Sequence, residues 1–423
     1  MKDTMSLRGL SASLLSSLLL VSAIATPTLA GSSTTTKVID DDGYAAVTAN
    51  GHPDCAGRST PETDPRIFYS IQGAVYAATP GDDIYVCPGE YSESVYVDRP
   101  VRLLGPYAGV SAGNCPARDL ASEATITGDL PFRPALTLSA TGIVVDGLRF
   151  ANVPAEGLLT SGDSSGYTIA NNTFTGNWAG LALGSTGLFQ THVNDNCFDS
   201  NNGGTLDFDY GIVNWERFGN AIIADNRFRN HNGAAIFLTG SNGRVSGIAI
   251  RHNVSTDDGS FVDLQAIGHT LVSGNKIRGN SPVPRAAIGI HGNSWFIMVR
   301  DNRIASNHTA GVSVADTAMH VQIRRNNIKD TDNGIAITTD RAPDSGGGAV
   351  IVSNNRVSDV TDTGLWASSI TRGNVFTKNV LSGNASVQCR DDSVGQRTAR
   401  TANTWIDNDM PSSGVEMPAG ICN

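Results

Sequence analysis

Apolar and polar positions alternate over short stretches of this chain, and each stretch is closed by Gly, Pro, Asn or Asp. Alternation at period two predicts half-buried strands separated by tight turns. Helical spacing is convincing only over 67–79, where Ile71, Ala74, Val75 and Ala78 recur before Pro80-Gly81-Asp82 stops the element. Strand-like runs follow at 83–86, 94–97 and 101–104. From there the pattern becomes periodic. Asn, any residue, then an aromatic or aliphatic is anchored at Asn172, Asn196, Asn226, Asn253, Asn275, Asn302, Asn326, Asn355 and Asn379, in steps of 24, 30, 27, 22, 27, 24, 29 and 24 residues. Such a period means stacked supersecondary units, each burying its apolar face on the next. Within each unit a second strand opens with Gly or Ala, as in Gly180-Leu181-Ala182-Leu183 and Ala287-Ile288-Gly289-Ile290, and a third leads to the next anchor. Three strands per coil, stacked in parallel, predict an all-β solenoid. The anchor Asn residues read as scaffold: Asn tolerates the left-handed backbone of a sharp corner, and stacked amides bond along a ladder.

Composition adds boundaries. Residues 1–30 read as a signal peptide, with Lys2 and Arg8 ahead of an apolar stretch over 14–25 and Thr28-Leu29-Ala30 as the cleavage site. No later stretch is apolar for long enough to span a bilayer, so a secreted protein, extracellular or periplasmic, with no membrane partner is expected. Removing Lys2, Arg8 and Asp3 takes the formal net charge from −10 to −11, which argues against a nucleic-acid partner. The domain reading is a lead-in over 31–66, extended with one strand near 44–49, a solenoid over 67–388 and a tail over 389–423. Export makes disulfides the default for Cys55, Cys87, Cys115, Cys197, Cys389 and Cys422. Cys389 with Cys422 would tie the tail, two of Cys55, Cys87 and Cys115 would bridge the N-terminal end, and Cys197 would be left over.

The passage from Ile71-Gln72-Gly73-Ala74-Val75 through Gly81-Asp82-Asp83-Ile84-Tyr85-Val86-Cys87-Pro88-Gly89-Glu90-Tyr91 to Leu103-Leu104-Gly105 resembles the opening coil of the pectin-lyase-like superfamily. That resemblance spans nearly all of the mature chain. It implies a right-handed parallel β-helix with an N-terminal capping helix, and leaves activity open, because that superfamily holds lyases, hydrolases, esterases, epimerases and non-catalytic proteins. Motifs of its better-known members are fragmentary here. Similarity to polygalacturonases is confined to Asp257-Asp258 and Gly289-Ile290-His291-Gly292, and Pro284-Arg285 lacks the second Arg of calcium pectate lyases.

Aligning the coils turns the second strand into columns. The first outward column reads Ala182, Val213, Phe237, Asp263, Gly289, Ser313, Ala336, Trp366, and the next reads Gly184, Trp215, Thr239, Gln265, His291, Ala315, Thr338, Ser368. Chemistry-bearing residues concentrate in the middle coils. Asp263, His291, Arg285, Asp209 and Tyr210 are the candidate catalytic residues, with Trp215, Glu216, Arg217, Gln265 and Trp295 as substrate-binding candidates. Paired carboxylates suit glycoside hydrolysis. Arg285 neutralising a uronate while His291 or Tyr210 takes the C5 proton suits β-elimination. The function read from the sequence is therefore a polysaccharide lyase or glycoside hydrolase acting as a monomer on a uronate-containing polysaccharide, with a non-catalytic glycan-binding or adhesin-type protein as the alternative. No cofactor is implied beyond Ca²⁺, for which Asp257-Asp258 and Asp207/Asp209 are candidate ligands without regular spacing. A second set of cations, including Arg227, Arg251, Lys276, Arg300, Arg303, Arg324, Arg325 and Arg356, flanks the Asn anchors among Asp195, Asp225 and Asp301.

Overall fold

The computed structural model describes residues 35–41, 45–47, 53–115, 118–203, 209–240, 245–279, 283–306, 308–339, 349–384 and 386–422. The expected signal peptide and Asp207 lie outside them. The chain winds as a parallel solenoid of three sheets with 15, 13 and 12 strands. One coil runs Asp83–Val86 in the 15-stranded sheet, Gly89–Tyr91 in the 12-stranded, Val95–Val97 in the 13-stranded, then Arg102–Leu104 back in the first. Every strand thus pairs with the strand one coil away, and the rise per coil is the strand spacing, about 4.8 Å.

Period-two patterning fills the interior with columns of like residues. Ile250, Val272, Val299, Ile323, Val352 and Phe376 are register partners in succession, and all are fully buried. The aromatics of the first three Asn phrases continue a column opened by Phe150: Phe150, Phe174, Phe198 and Phe228 stack with centroids 5.0, 4.7 and 4.9 Å apart. A one-residue slip would turn each column outward, so the apolar alternation fixes the register.

The anchor Asn residues form a buried ladder between the 15- and 12-stranded sheets. Asn302 is representative. Its Oδ1 accepts from the N and Nδ2 of Asn275, at 3.0 and 2.9 Å, and its Nδ2 donates to Asn326 Oδ1 and Val272 O, each at 3.0 Å. The left-handed backbone, however, belongs to the residue before each anchor: Asn171, Asp195, Asp225, His252, Asp301, Arg325, Asn354 and Lys378 all have φ between 54° and 59°. The corner is sharp one residue earlier than expected, and the anchor is set by its amide bonds. A second ladder lies between the 12- and 13-stranded sheets, where Asn177, Asn201, His231 and Asp258 are bonded in turn.

The ends depart from expectation in three places. The helix is shorter, Ile71–Ala77, because Ser70 caps it by accepting from Gly73 N at 3.1 Å. Ile67–Phe68 is instead a strand, paired with Thr36–Ile39, which itself lies beside Asp83–Val86. Solenoid pairing therefore starts within the lead-in, and it continues into the tail through Thr404–Ile406 and Glu416–Met417. The lead-in also holds an antiparallel pair, Ala45–Val47 with Pro53–Ser59, tied down by Cys55–Cys87. Cys197 is not left over: it bonds Cys115. It occupies an outward position, and the segment after Leu104 runs along the corner, Ala112 N donating to Asp195 O at 2.8 Å, which brings Cys115 to it. Cys389 and Cys422 are bonded, holding the last residues against the final coils.

Candidate functional site

In the 13-stranded sheet the outward column runs through Asp263, Gly289, Ser313, Ala336 and Trp366 as direct register partners. Three small residues between a carboxylate and an indole leave a groove of about 520 Å³ along the solenoid axis. Four coil steps separate its ends, about 19 Å, which is room for several sugar rings. Arg285, Thr309 and Asn333 line one side, and His291, Ala315, Asp316 and Thr338 the other. Gly289 leaves the floor bare beside Asp263, where a Cβ would fit in ordinary contact with Oδ1 at 3.4 Å.

His291 sits one coil beyond Asp263, and its Nε2 is 2.5 Å from Asp263 Oδ1. The imidazole side chain is 30% exposed and the carboxylate 17%, so the pair is shielded yet open to the groove. On the other side lies Asp316, whose Oδ2 accepts from Gly292 N at 3.2 Å. The hydrogen bond with Asp263 holds the His291 pKa above its ordinary value; burial opposes this, the charges of Asp263 and Asp316 reinforce it, and Arg285 works against it. A protonated imidazole between carboxylates, facing a groove with one guanidinium on its wall, can donate a proton to a leaving oxygen or orient a water. At the far end Trp366 donates from Nε1 to Asp392 Oδ2 at 3.0 Å, with the Arg390 guanidinium 5.9 Å from the ring centroid.

Of the residues singled out in sequence, Asp263, His291 and Arg285 come together here. Gln265 stands beside them, one coil from His291 in the same column. The others do not join. Tyr210 is 5% exposed and stacks on Phe237 at 5.1 Å, part of an apolar cluster with Ala182 and Val213 on the outer face of the sheet. Asp209 is buried, accepting from Asn232 Nδ2 at 3.2 Å. Trp215 stacks on Trp178 at 5.6 Å and donates to Glu156 Oε1 at 2.7 Å. Glu216 accepts from Gly162 N, and Arg217 pairs with Asp163 at 2.8 Å. These three line a larger hollow of about 1020 Å³, but their polar groups are already matched to the coil at 156–163. Trp295 belongs to the 15-stranded sheet, against Gly268. Of the candidate calcium ligands, Asp258 is 1% exposed and bonded to His231 and Ser255 in the second ladder.

Sequence columns missed Asp316, because it lies one residue beyond the strand positions that were compared, at a corner with φ 56°. An Asp closing a strand one coil after a candidate His was the available signal. The second ladder was also legible, since Asn177, Asn201, His231 and Asp258 each follow an anchor by five residues.

A family model described as a right handed beta helix region matches residues 208–345. The solenoid is a right-handed parallel β-helix. A second model, described as periplasmic copper-binding protein (NosD), matches residues 134–256 of the β-helix. No curated protein matches it. Among solved structures, the DFA-IIIase from Arthrobacter chlorophenolicus A6 in complex with GF2 is 16% identical, with 81% of this chain and 92% of that chain covered and a TM-score of 0.53. The catalytic unit of the thermostable GH87 alpha-1,3-glucanase from Streptomyces thermodiastaticus strain HF3-3 is 15% identical, with 91% and 70% covered and a TM-score of 0.51. At these identities the likeness is one of fold. The three disulfides of the β-helix suit an extracellular or periplasmic setting, and no described helix is long and apolar enough to cross a membrane.

Proposed function

We propose that the β-helix is a carbohydrate-active enzyme that cleaves a glycosidic bond in the groove between Asp263 and Trp366. The observation that carries this is the line Asp263, His291, Asp316 beside Arg285 in one axial groove. His291, held protonated by its carboxylate neighbours, gives its proton to the glycosidic oxygen as the bond to the anomeric carbon breaks. Asp316 takes a proton from the attacking water, and Asp263 orients the imidazole. Asp316 stands one coil beyond His291, on the side away from Asp263, and lines the same groove, so the base and the acid face one space. The named activity of the GH87 glucanase catalytic unit shows that this fold carries glycan cleavage in that protein; for this chain the reading rests on the groove.

Arg285 favours a second reading, β-elimination. Its guanidinium would neutralise a uronate carboxylate and stabilise the enolate formed when neutral His291 removes the C5 proton; the enolate then expels the C4 oxygen, which takes a proton from water as the C4–C5 double bond forms. One assay separates the two. The protein is incubated with neutral glucans, fructans, polygalacturonate and alginate while reducing ends and absorbance of the unsaturated product are followed together. Reducing ends without absorbance support hydrolysis, and both rising together support elimination. Neither signal on any substrate, with retained glycan binding, would reduce the groove to a binding site.

A further inference from the structure

On the side of the solenoid away from the groove, the residues flanking the Asn ladder carry an excess of positive charge. Over the five coils anchored by Asn253, Asn275, Asn302, Asn326 and Asn355, each coil contributes at least one cation: Arg251, then Lys276, then Arg300 with Arg303, then Arg324 with Arg325, then Arg356. Lys276 and Arg303 are direct register partners, as are Arg300 and Arg324. Like charges are thus set one coil apart, about 4.8 Å between backbones, an arrangement that destabilises a sheet unless something answers it. Among the described residues of the strip only Asp301 does so, shared by Arg300 and Arg325. Arg324 shows the crowding: burial lowers its pKa, and the charges of Arg325 and Arg300 lower it further. The excess belongs to a protein whose overall net charge is −10.

Two residues earlier on the strands that carry Ser273, Arg300, Arg324 and Ser353, the outward column reads Leu271, Met298, Gln322 and Ile351. Leu271, Met298 and Ile351 thus make an apolar track beside the charged one, interrupted by Gln322 and with Arg324 Nη2 3.5 Å from Met298 Sδ. We infer that this edge binds an extended anionic polysaccharide with a carboxylate on each sugar, its carboxylates on the cations and its ring faces on the apolar track. One charge per coil suits a pyranose repeat. Each strand of duplex DNA carries a phosphate per about 3.4 Å of helix axis, out of step with the coil spacing, and an anionic bilayer presents a plane where the cations flank a narrow edge between two sheets. This surface is separate from the groove and does not depend on the cleavage proposed there.

The test is binding of the mature protein to polygalacturonate by affinity electrophoresis or calorimetry. Dextran, duplex DNA and vesicles containing phosphatidylglycerol are run in parallel. The expected result is polygalacturonate binding that weakens with added salt and falls at least about tenfold in Lys276→Gln/Arg303→Gln/Arg324→Gln, with circular dichroism and melting temperature unchanged. Asp263→Asn, which disables the groove, retains this binding. The exposed single changes Lys276→Gln and Arg303→Gln, each giving part of the loss, serve the same purpose if the triple variant does not fold. Wild-type binding in the folded triple variant overturns the inference. So does equal binding of dextran, or tighter binding of DNA or vesicles that the same substitutions abolish.

Discussion

The imidazole of His291 is useful because its charge is set from two sides along the axis. Asp263 in the coil before holds Nε2, Asp316 in the coil after adds its field, and both favour the protonated form. Asp263→Asn keeps the shape and removes the charge. The His291 midpoint, followed by NMR of the ring protons, is expected to fall toward or below the ordinary 6.5. A pKa raised on folding gives stability that is fully present below the unfolded value and is lost as pH rises through the folded value. The variant should therefore melt lower than wild type in acid, with the difference closing above neutrality. If His291 is the proton donor, turnover on the substrate found by the assay falls about 10²-fold or more. An unchanged midpoint would show that Asp263 does not govern this imidazole. Asp263 and His291 could be brought together from sequence because strand residues two apart share a face, and Arg285 because it lies in the turn that opens the His291 strand. Asp316 falls outside that count, because it sits at a left-handed corner, and only its place one coil after His291 signals it.

Coils are held by paired β-bonds and by side-chain ladders, and the ladders differ in what they tolerate. Each anchor Asn is both donor and acceptor to its neighbours above and below. Asn302→Ala would leave Asn275 N without its acceptor, take one of the two partners of Asn275 Nδ2 and remove a donor from Val272 O in a buried corner, while Asn326 Oδ1 keeps the backbone N of residue 302. At about 1–3 kcal/mol for each buried group left unpaired, the variant is expected to lose at least about 3 kcal/mol in urea melts. Asn327→Ala, at an exposed position in the next coil, should stay within about 0.5 kcal/mol. Equal small effects would mean that the ladder is ornamental and that strand pairing alone defines the corner. The repeat made this element visible in sequence, but it also hid a detail. Because the anchor was the constant residue, it attracted the left-handed conformation that the variable residue before it adopts. The helix was overextended for a related reason: 67–68 continue the apolar spacing, and only pairing with Thr36–Ile39 decides them as strand.

At the scale of the whole solenoid, stacking makes stability a sum over neighbouring coils, so one buried ionisable group can tune the response of the stack to acid. Solenoid class and number of faces followed from the Asn period, and the ends did not, since pairing of Thr36–Ile39 and of Cys115 with Cys197 joins residues that no local pattern links. His308 is a further group whose setting only the fold reveals. It is 2% exposed at the corner after the 12-stranded sheet, with Nδ1 2.7 Å from Ser306 Oγ. Burial pushes its pKa down to about 4, against the opposing effect of Asp258. Between that value and 6.5 the unfolded chain binds a proton that the folded chain refuses, so this group makes stability fall as pH falls through that window. The full effect is on the order of 3 kcal/mol. Urea melts of the β-helix at intervals from pH 7.5 to 4 should show that decline, and His308→Asn, less stable at pH 7.5, should show a shallower one. A decline of the same steepness in the variant would assign the acid sensitivity to other groups, with the Asp263–His291 pair excluded by its opposite sign.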